Sequence, residues 1–219
     1  MMLFKQEEHS SVVDLKKTCA HSGGAKGSDL YWGECGKKYG LFKIKHYSYK
    51  TTYHNNPNKV EISEEDYNEG VKIVNEANDV FLKRKNIEKY MNLLARNWPQ
   101  VKYSESIYAI GTILNKGDTG SKGKKHSLDI PIVDGGTGYA VAFGYLLNKP
   151  IHVFDQLKNY WFKFDHYTKN YHQISIPHII TENFTAIGTR ELKQNGMKAI
   201  EDVYKQTVFK HDQEHKKLH

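Results

Sequence analysis

The residues that could do chemistry gather in three glycine-containing turns. "HSGGAKGSD" runs from His21 to Asp29, "DGGTGYA" from Asp134 to Ala140, and "IGTRE" from Ile187 to Glu191. Each stands where a strand pattern gives way to a helical one. Glycine lets the backbone approach a phosphate closely, and the free N–H groups and dipole of a helix start favour an anion there. In the first turn Gly23, Gly24 and Gly27, with the small Ala25 among them, offer main-chain donors, and Ser22 adds a hydroxyl. Asp29 either caps the following helix or accepts hydrogen bonds from a ribose. Gly135, Gly136 and Thr137 form the second phosphate-facing turn. Gly188, Thr189, Arg190 and Glu191 form the third. There Arg190 is the best candidate for direct charge pairing, because a guanidinium forks onto phosphate oxygens. A salt bridge to Glu191 or Asp134 is its competing role.

One such turn is weak evidence, since tight strand-to-helix turns need glycine for conformation alone. Three in one domain favour a shared phosphate or nucleotide site. None is a Walker A or a GxGxxG loop, which disfavours ATP hydrolysis and dinucleotide dehydrogenase chemistry. Further candidates are Arg96 and Asn97 on a helix before "WPQV", and Asp155 and Gln156 just past the strand "IHVF". Tyr139, Tyr160 and Trp161 could stack on a base, with packing inside a hairpin at least as good a role for Trp161.

The elements that must position these residues alternate along the chain. "VVDLKKTCAHSGG" reads as a lead-in and a strand, "SDLYWGECGKKYG" as a helix, and "LFKIKHYSY" as a strand. "KTTYHNNPNKVE" is a polar loop. Ser63 caps the helix "SEEDYNEGVKIVNEANDVFLK", and "NIEKYMNLLARNWPQVKY" is a second helix. "SIYAIGTIL" is a buried strand that enters a Gly/Lys loop at about 115–130, expected to be mobile. A small-residue helix follows "DGGTG", then the strand "IHVFD", then a β-hairpin turning near "YTKN". "ENFTAIG" is a last strand, and a closing helix leads into an expected flexible tail at about 211–219. Alternation of this kind indicates one α/β domain over 1–219, doubly wound and Rossmann-like, with a mostly parallel five-stranded sheet and an added hairpin. In such a sheet the strand-to-helix turns share the carboxyl edge, where ligands bind.

The chain has 219 residues, 38% of them hydrophobic, which is enough to bury a core without metal or disulfide staples. Its net charge of +7 points to anionic partners, with a solvated lysine surface as the plainer explanation. Two cysteines without a CxxC partner, and no signal-peptide pattern, imply reduced thiols and a cytoplasmic protein. No apolar run approaches the roughly 20 residues of a membrane span. The twelve histidines are scattered and "HDQEH" falls in the expected tail, so no metal and no cofactor is expected. Apolar helix faces such as "YMNLLA" could pair two copies or belong to the core.

Taken together, "SGGAKGSD", "RNWPQV", "GGTGYAVA" with "KPIHVFD", and "AIGTRE" resemble the SLOG superfamily of Rossmann-like nucleotide-binding domains, nearest its YspA-like branch. The superfamily includes the DNA-processing protein A family, LOG phosphoribohydrolases, molybdenum-cofactor carriers and sensors of ADP-ribose-type signals. In the family order the Gly-Thr-Arg strand comes first; here "IGTRE" comes last, so the chain looks circularly permuted. That implies a sheet order of 2-1-5-3-4, counting the five expected strands along the chain, with "FTAIG" in the middle. The resemblance implies a binder of a phosphorylated nucleotide-derived ligand, ADP-ribose-like or cyclic, acting as sensor, carrier or sequestering protein. The phosphoribohydrolases carry a glutamate shortly after Gly-Thr, where this chain has Tyr139, Ala140, Val141 and Ala142. N-glycosidic hydrolysis is therefore the second reading, and single-stranded DNA binding the third.

Overall fold

The computed structural model describes residues 12–50 and 58–217. Its centre is one eight-stranded sheet. The strands are β1 (Cys19–Ser22), β2 (Lys43–Ser48), β3 (Lys59–Glu61), β4 (Ser106–Gly111), β7 (Ile151–Asp155), β8 (Tyr160–Asp165), β9 (Asn170–Ile174) and β10 (Asn183–Gly188). They lie side by side as β3-β2-β1-β10-β4-β7-β8-β9. From β3 to β7 all neighbours are parallel, and β8 and β9 continue the sheet in antiparallel pairing. A separate two-stranded pair joins β5 (Ile113–Leu114) to β6 (Ile132–Val133).

Helices cover both faces. On one, α1 (Ser28–Lys38) and α6 (Gln194–Lys217) pack over β1 and β10, where Trp32, Phe184 and Tyr204 meet edge to face. On the other, α2 (Glu64–Ala77), α3 (Met91–Ala95), α4 (Asn97–Lys102) and α5 (Thr137–Leu146) close over β4 and β7. Every residue of β4 and β7 is buried, so both strands are mainly apolar without alternation, His152 of β7 being the interior exception, as interior parallel strands require. Ser63 caps α2 by accepting the Asp66 N–H at 3.0 Å, and three acidic residues in the first turn complement the dipole.

The sheet departs from the expected five strands in two ways. β3 is a three-residue edge strand with Val60 as its single apolar residue, too short and too charged to show a pattern; part of the polar loop before it, 51–57, lies outside the described residues. The expected hairpin, β8 with β9, is hydrogen-bonded to β7 and so extends the sheet. The expected strand "SIYAIGTIL" divides after Gly111 into β4 and β5.

The expected helix through "RNWPQV" is broken at Arg96, because Pro99 has no N–H to offer the Ala95 carbonyl one turn back. α2 likewise ends earlier than its sequence pattern, passing into a π-helical turn at Asn78–Leu82. The stretch at 115–130 carries backbone hydrogen bonds from Gly117 to His126, His126 to Asp118 and Gly120 to Lys124. The expected tail is helical through Lys217, and "YMNLLA" contributes Leu94 and Ala95 to the interior.

Gly138 shows how closely α5 sits on the sheet: a Cβ there would collide with the Val133 carbonyl oxygen, whereas one at Gly136 meets nothing within 4 Å. Gly138→Ala should lower the unfolding free energy by about 1–3 kcal/mol through overpacking. Gly136→Ala should change it far less. Urea midpoints of the two variants, compared at constant m-value, check this.

Candidate functional site

The turns meet at the carboxyl edge of the parallel strands. β1 delivers Ser22 to the turn before α1, and β10 delivers Gly188 beside it. The Ser28 N–H and Oγ both donate to the Thr189 carbonyl, at 3.1 and 2.8 Å. Gly27 has φ +97°, and a Cβ on it would collide with the Arg190 carbonyl oxygen, so glycine is required both for the turn and for the approach. The Ser22 hydroxyl is buried and lies 3.4 Å from the Asp29 carbonyl.

Asp29 is the hub of this contact. Its Oδ1 accepts the Gly188 N–H at 3.0 Å and its Oδ2 accepts the Ala25 N–H at 3.3 Å. The side chain is 4% exposed. Burial pushes its pKa up to about 6, against the opposing pull of Arg96 and of the main-chain donors. The first glycine turn therefore already holds an anion, and that anion is the chain's own carboxylate.

Arg96 approaches from the helical break. Its Nη1 donates to the Gly23 carbonyl at 2.7 Å and to the Tyr47 carbonyl at 3.2 Å. Interrupting the helix there turns the guanidinium toward the sheet edge. Burial lowers the Arg96 pKa, the Asp29 charge raises it, and Arg190 lowers it again. Two like charges, one buried on Arg96 and one exposed on Arg190, thus share a neighbourhood. The next residue, Asn97, is also buried, and its Nδ2 reaches the Gly136 carbonyl at 3.5 Å. The line of contacts runs from Thr189 and Arg190 through the first turn to Arg96, Asn97 and the second turn.

The second turn is open. No acceptor among the described residues takes the Gly136 or Thr137 N–H, and no atom stands within 4 Å of a Cβ built at Gly135 or Gly136. Arg84 supports this turn from behind. Its Nη1 donates to the Gly135 carbonyl at 2.6 Å and Nη2 to the Val133 carbonyl at 3.2 Å, with the guanidinium 5.1 Å from the Tyr139 ring centre. Burial lowers its pKa while Tyr139 and Asp134 oppose that shift. Asp134 accepts the Gly135 and Ser121 N–H groups at 2.7 and 2.6 Å. Burial raises its pKa, but these hydrogen bonds and the Arg84 charge outweigh it and leave the pKa low.

The chain matches no protein-family model, no curated protein and no solved structure.

Other candidates have structural partners. Asp155 is fully buried; Oδ2 accepts the Ile113 N–H, and Oδ1 accepts those of Leu157 and Lys158. Gln156 bridges to the Glu191 carbonyl and the Lys193 N–H, fixing the strand after which it stands against the start of α6. Glu191 is exposed and its N–H donates to Thr189 Oγ1 at 3.2 Å. Tyr139 is 1% exposed and donates its hydroxyl to Asn78, and Trp161 is buried against Phe154; Tyr160 alone of the three aromatics is exposed. Arg84 was not singled out by its sequence context, a lone arginine in the basic run "LKRKN". A cavity of about 710 Å³ lies at the opposite, amino-terminal end of β1 and β10.

Asp29 makes the turn contact sensitive to pH. A carboxyl whose folded pKa is raised holds its proton more tightly in the fold, so its contribution to stability is full below the unfolded value and is lost as pH rises through about 6. Urea unfolding of wild type and Asp29→Asn from pH 4 to 7 isolates this contribution from the other carboxylates. The wild-type advantage should shrink by up to about 3 kcal/mol across that window. A constant difference would mean that Asp29 does not titrate there.

Proposed function

We propose that this protein binds a phosphorylated nucleotide-derived ligand, ADP-ribose-like or cyclic, at the carboxyl edge of its parallel strands. The observation that carries the reading is the open start of α5, with two uncommitted main-chain donors, in contact with Asn97, whose neighbour Arg96 lies against the first turn and feels the Arg190 charge. Donors at a helix N-terminus combined with guanidinium charge make a phosphate site. In this reading Gly136 and Thr137 hold the phosphate through their N–H groups. Arg190 supplies the exposed counter-charge, Arg96 the buried one, and Asn97 keeps the second turn in register with the first. Tyr160, exposed one residue before the buried Trp161, is the available stacking surface for a base.

The likeness to the SLOG superfamily is part of the same proposal. The parallel strands are ordered β3-β2-β1-β10-β4-β7, so the five expected strands follow one another as expected beside the added edge strand β3, with the Gly-Thr-Arg strand β10 in the interior. This supports a circular permutation, because the last strand takes the place that the first would hold in the family order.

Binding is favoured over N-glycosidic hydrolysis. Both Asp29 oxygens accept main-chain N–H groups, and the oxygens of Asp155 are similarly engaged, which leaves neither carboxylate poised toward a sugar. Position 139 is a buried tyrosine where the hydrolases carry their acid nearby.

Isothermal titration with ADP-ribose and a cyclic-nucleotide panel tests the reading. At least one ligand should bind stoichiometrically and be recovered unchanged by chromatography. Arg190→Ala should weaken it by about 10- to 100-fold, the usual worth of a charged hydrogen bond. Absence of binding to every ligand, or an unaffected Arg190→Ala variant, would remove the proposal. Released base would move the assignment to the hydrolase, and a steep salt dependence with oligonucleotides to DNA binding.

A further inference from the structure

At the other end of the sheet, α6 brings two histidines together. Because the helix continues through Lys217, His211 and His215 lie one turn apart on the same face. Their Nε2 atoms are 3.1 Å apart, with ring centres at 4.4 Å and planes tilted by 59°. As it stands, this is a hydrogen bond in which one Nε2–H donates to the lone pair of the other ring. The same spacing suits a chelate. Two metal–nitrogen bonds of about 2.05 Å that close on this separation enclose about 98°, between the octahedral and tetrahedral angles. Replacing the shared proton by a cation would need only a small adjustment of the rings.

Two neighbouring features favour a cation. Asp212 Oδ1 lies 3.7 Å from His211 Nδ1, beyond hydrogen-bond reach but close enough to place a negative charge beside the pair. The 710 Å³ cavity that both histidines line carries Asp14, Glu105, Glu182 and Glu214 against a single lysine, Lys17. That local excess of negative charge is the inverse of the chain's overall +7. Among the described residues no group of three histidine, cysteine, aspartate or glutamate side chains is placed to hold a metal. The shell would therefore be completed by water.

We propose that His211 and His215 form a bidentate, exchangeable site for a divalent late transition ion of the zinc, copper, nickel or cobalt class. Imidazole donors select these ions over magnesium and calcium, which prefer oxygen. The ion would clip the last turns of α6, where terminal carbonyls lack intrahelical partners. This site is independent of the ligand edge.

Nickel chloride titrated into the full chain, followed by calorimetry and far-ultraviolet circular dichroism, provides the test. One equivalent should bind, and magnesium chloride should give no matching heat. His211→Ala and His215→Ala should each weaken that equivalent by about 10- to 100-fold, at least the loss seen when a supporting group is removed. His172→Ala, an exposed histidine on β9, should leave it unchanged. Dichroism of each variant without nickel establishes that the fold is retained, and both alanine positions lie in the outermost turns of α6. Nickel binding that survives both substitutions, or no stoichiometric binding by the wild-type chain, would overturn the proposal.

Discussion

The carboxylate of Asp29 ties the carboxyl edge together. Burying it is unfavourable in itself, as its raised pKa records. The cost is offset because one oxygen closes the turn after β1 and the other takes the main chain at the end of β10. An uncharged side chain of the same shape could not accept on both sides, because one end of an amide would present a donor to a donor. Arg96, beyond Gly23, supplies the opposite charge that most favours the ionised form, and the main-chain donors at both oxygens add to it. The two turns can therefore stay in van der Waals contact, close enough that Gly27 and Gly188 cannot carry a Cβ without colliding with their neighbours.

This arrangement separates two glycine turns that look alike in sequence. The first, with Gly23, Gly24 and Gly27, is filled from within and acts as a joint. The second, with Gly135 and Gly136, has exposed space and uncommitted donors. The Asp29 carboxylate makes the first turn unfavourable for an anionic guest, so the proposed ligand falls to the second, where Arg84 offsets the Asp134 charge from behind. The break at Pro99 bears on this difference, since it directs consecutive residues, Arg96 and Asn97, one to each turn. A continuous helix would set successive side chains about 100° apart around a single axis and would not span both.

Much of the architecture was legible because its signals are local. The apolar runs of β4 and β7, the Ser63 cap and the glycines before α1 and α5 report strand, cap and turn directly. The two runs are followed by turn residues, and the α/β class follows from their alternation with helices. Features that depend on distant partners were not legible. Lys59–Glu61 has no strand pattern and becomes β3 only because β2 offers it an edge. Arg84 gains its role from the Gly135 carbonyl, 51 residues away, and nothing around it in sequence distinguishes it from neighbouring lysines. Asp29 was visible as a candidate, but whether it faces a ribose or a peptide depended on where β10 lands. The break at Arg96 has a local cause in Pro99, although residues with helical spacing stand on both sides of it. The histidine pair failed for another reason: helical continuation to Lys217 is what converts a four-residue spacing into a short distance.

The position of β10 links folding to the site. It pairs with β1 across 164 residues of sequence, Cys19 opposite Asn183, and with β4 on its other side. Both parallel neighbours depend on it, so neither half of the sheet buries its inner edge until the last strand is inserted. Long-range pairing of this kind demands chain closure before contacts reward it, which slows folding and makes it a late, cooperative step. The Asp29–Gly188 hydrogen bond and the approach of Gly27 to Arg190 cannot precede that insertion. A partly folded chain that keeps α1, α5 and the hairpin still lacks the joined edge at which the first turn meets Gly188 and Arg190. The proposed ligand, if it bridges the two turns, would thus stabilise the whole sheet by mass action, not one loop.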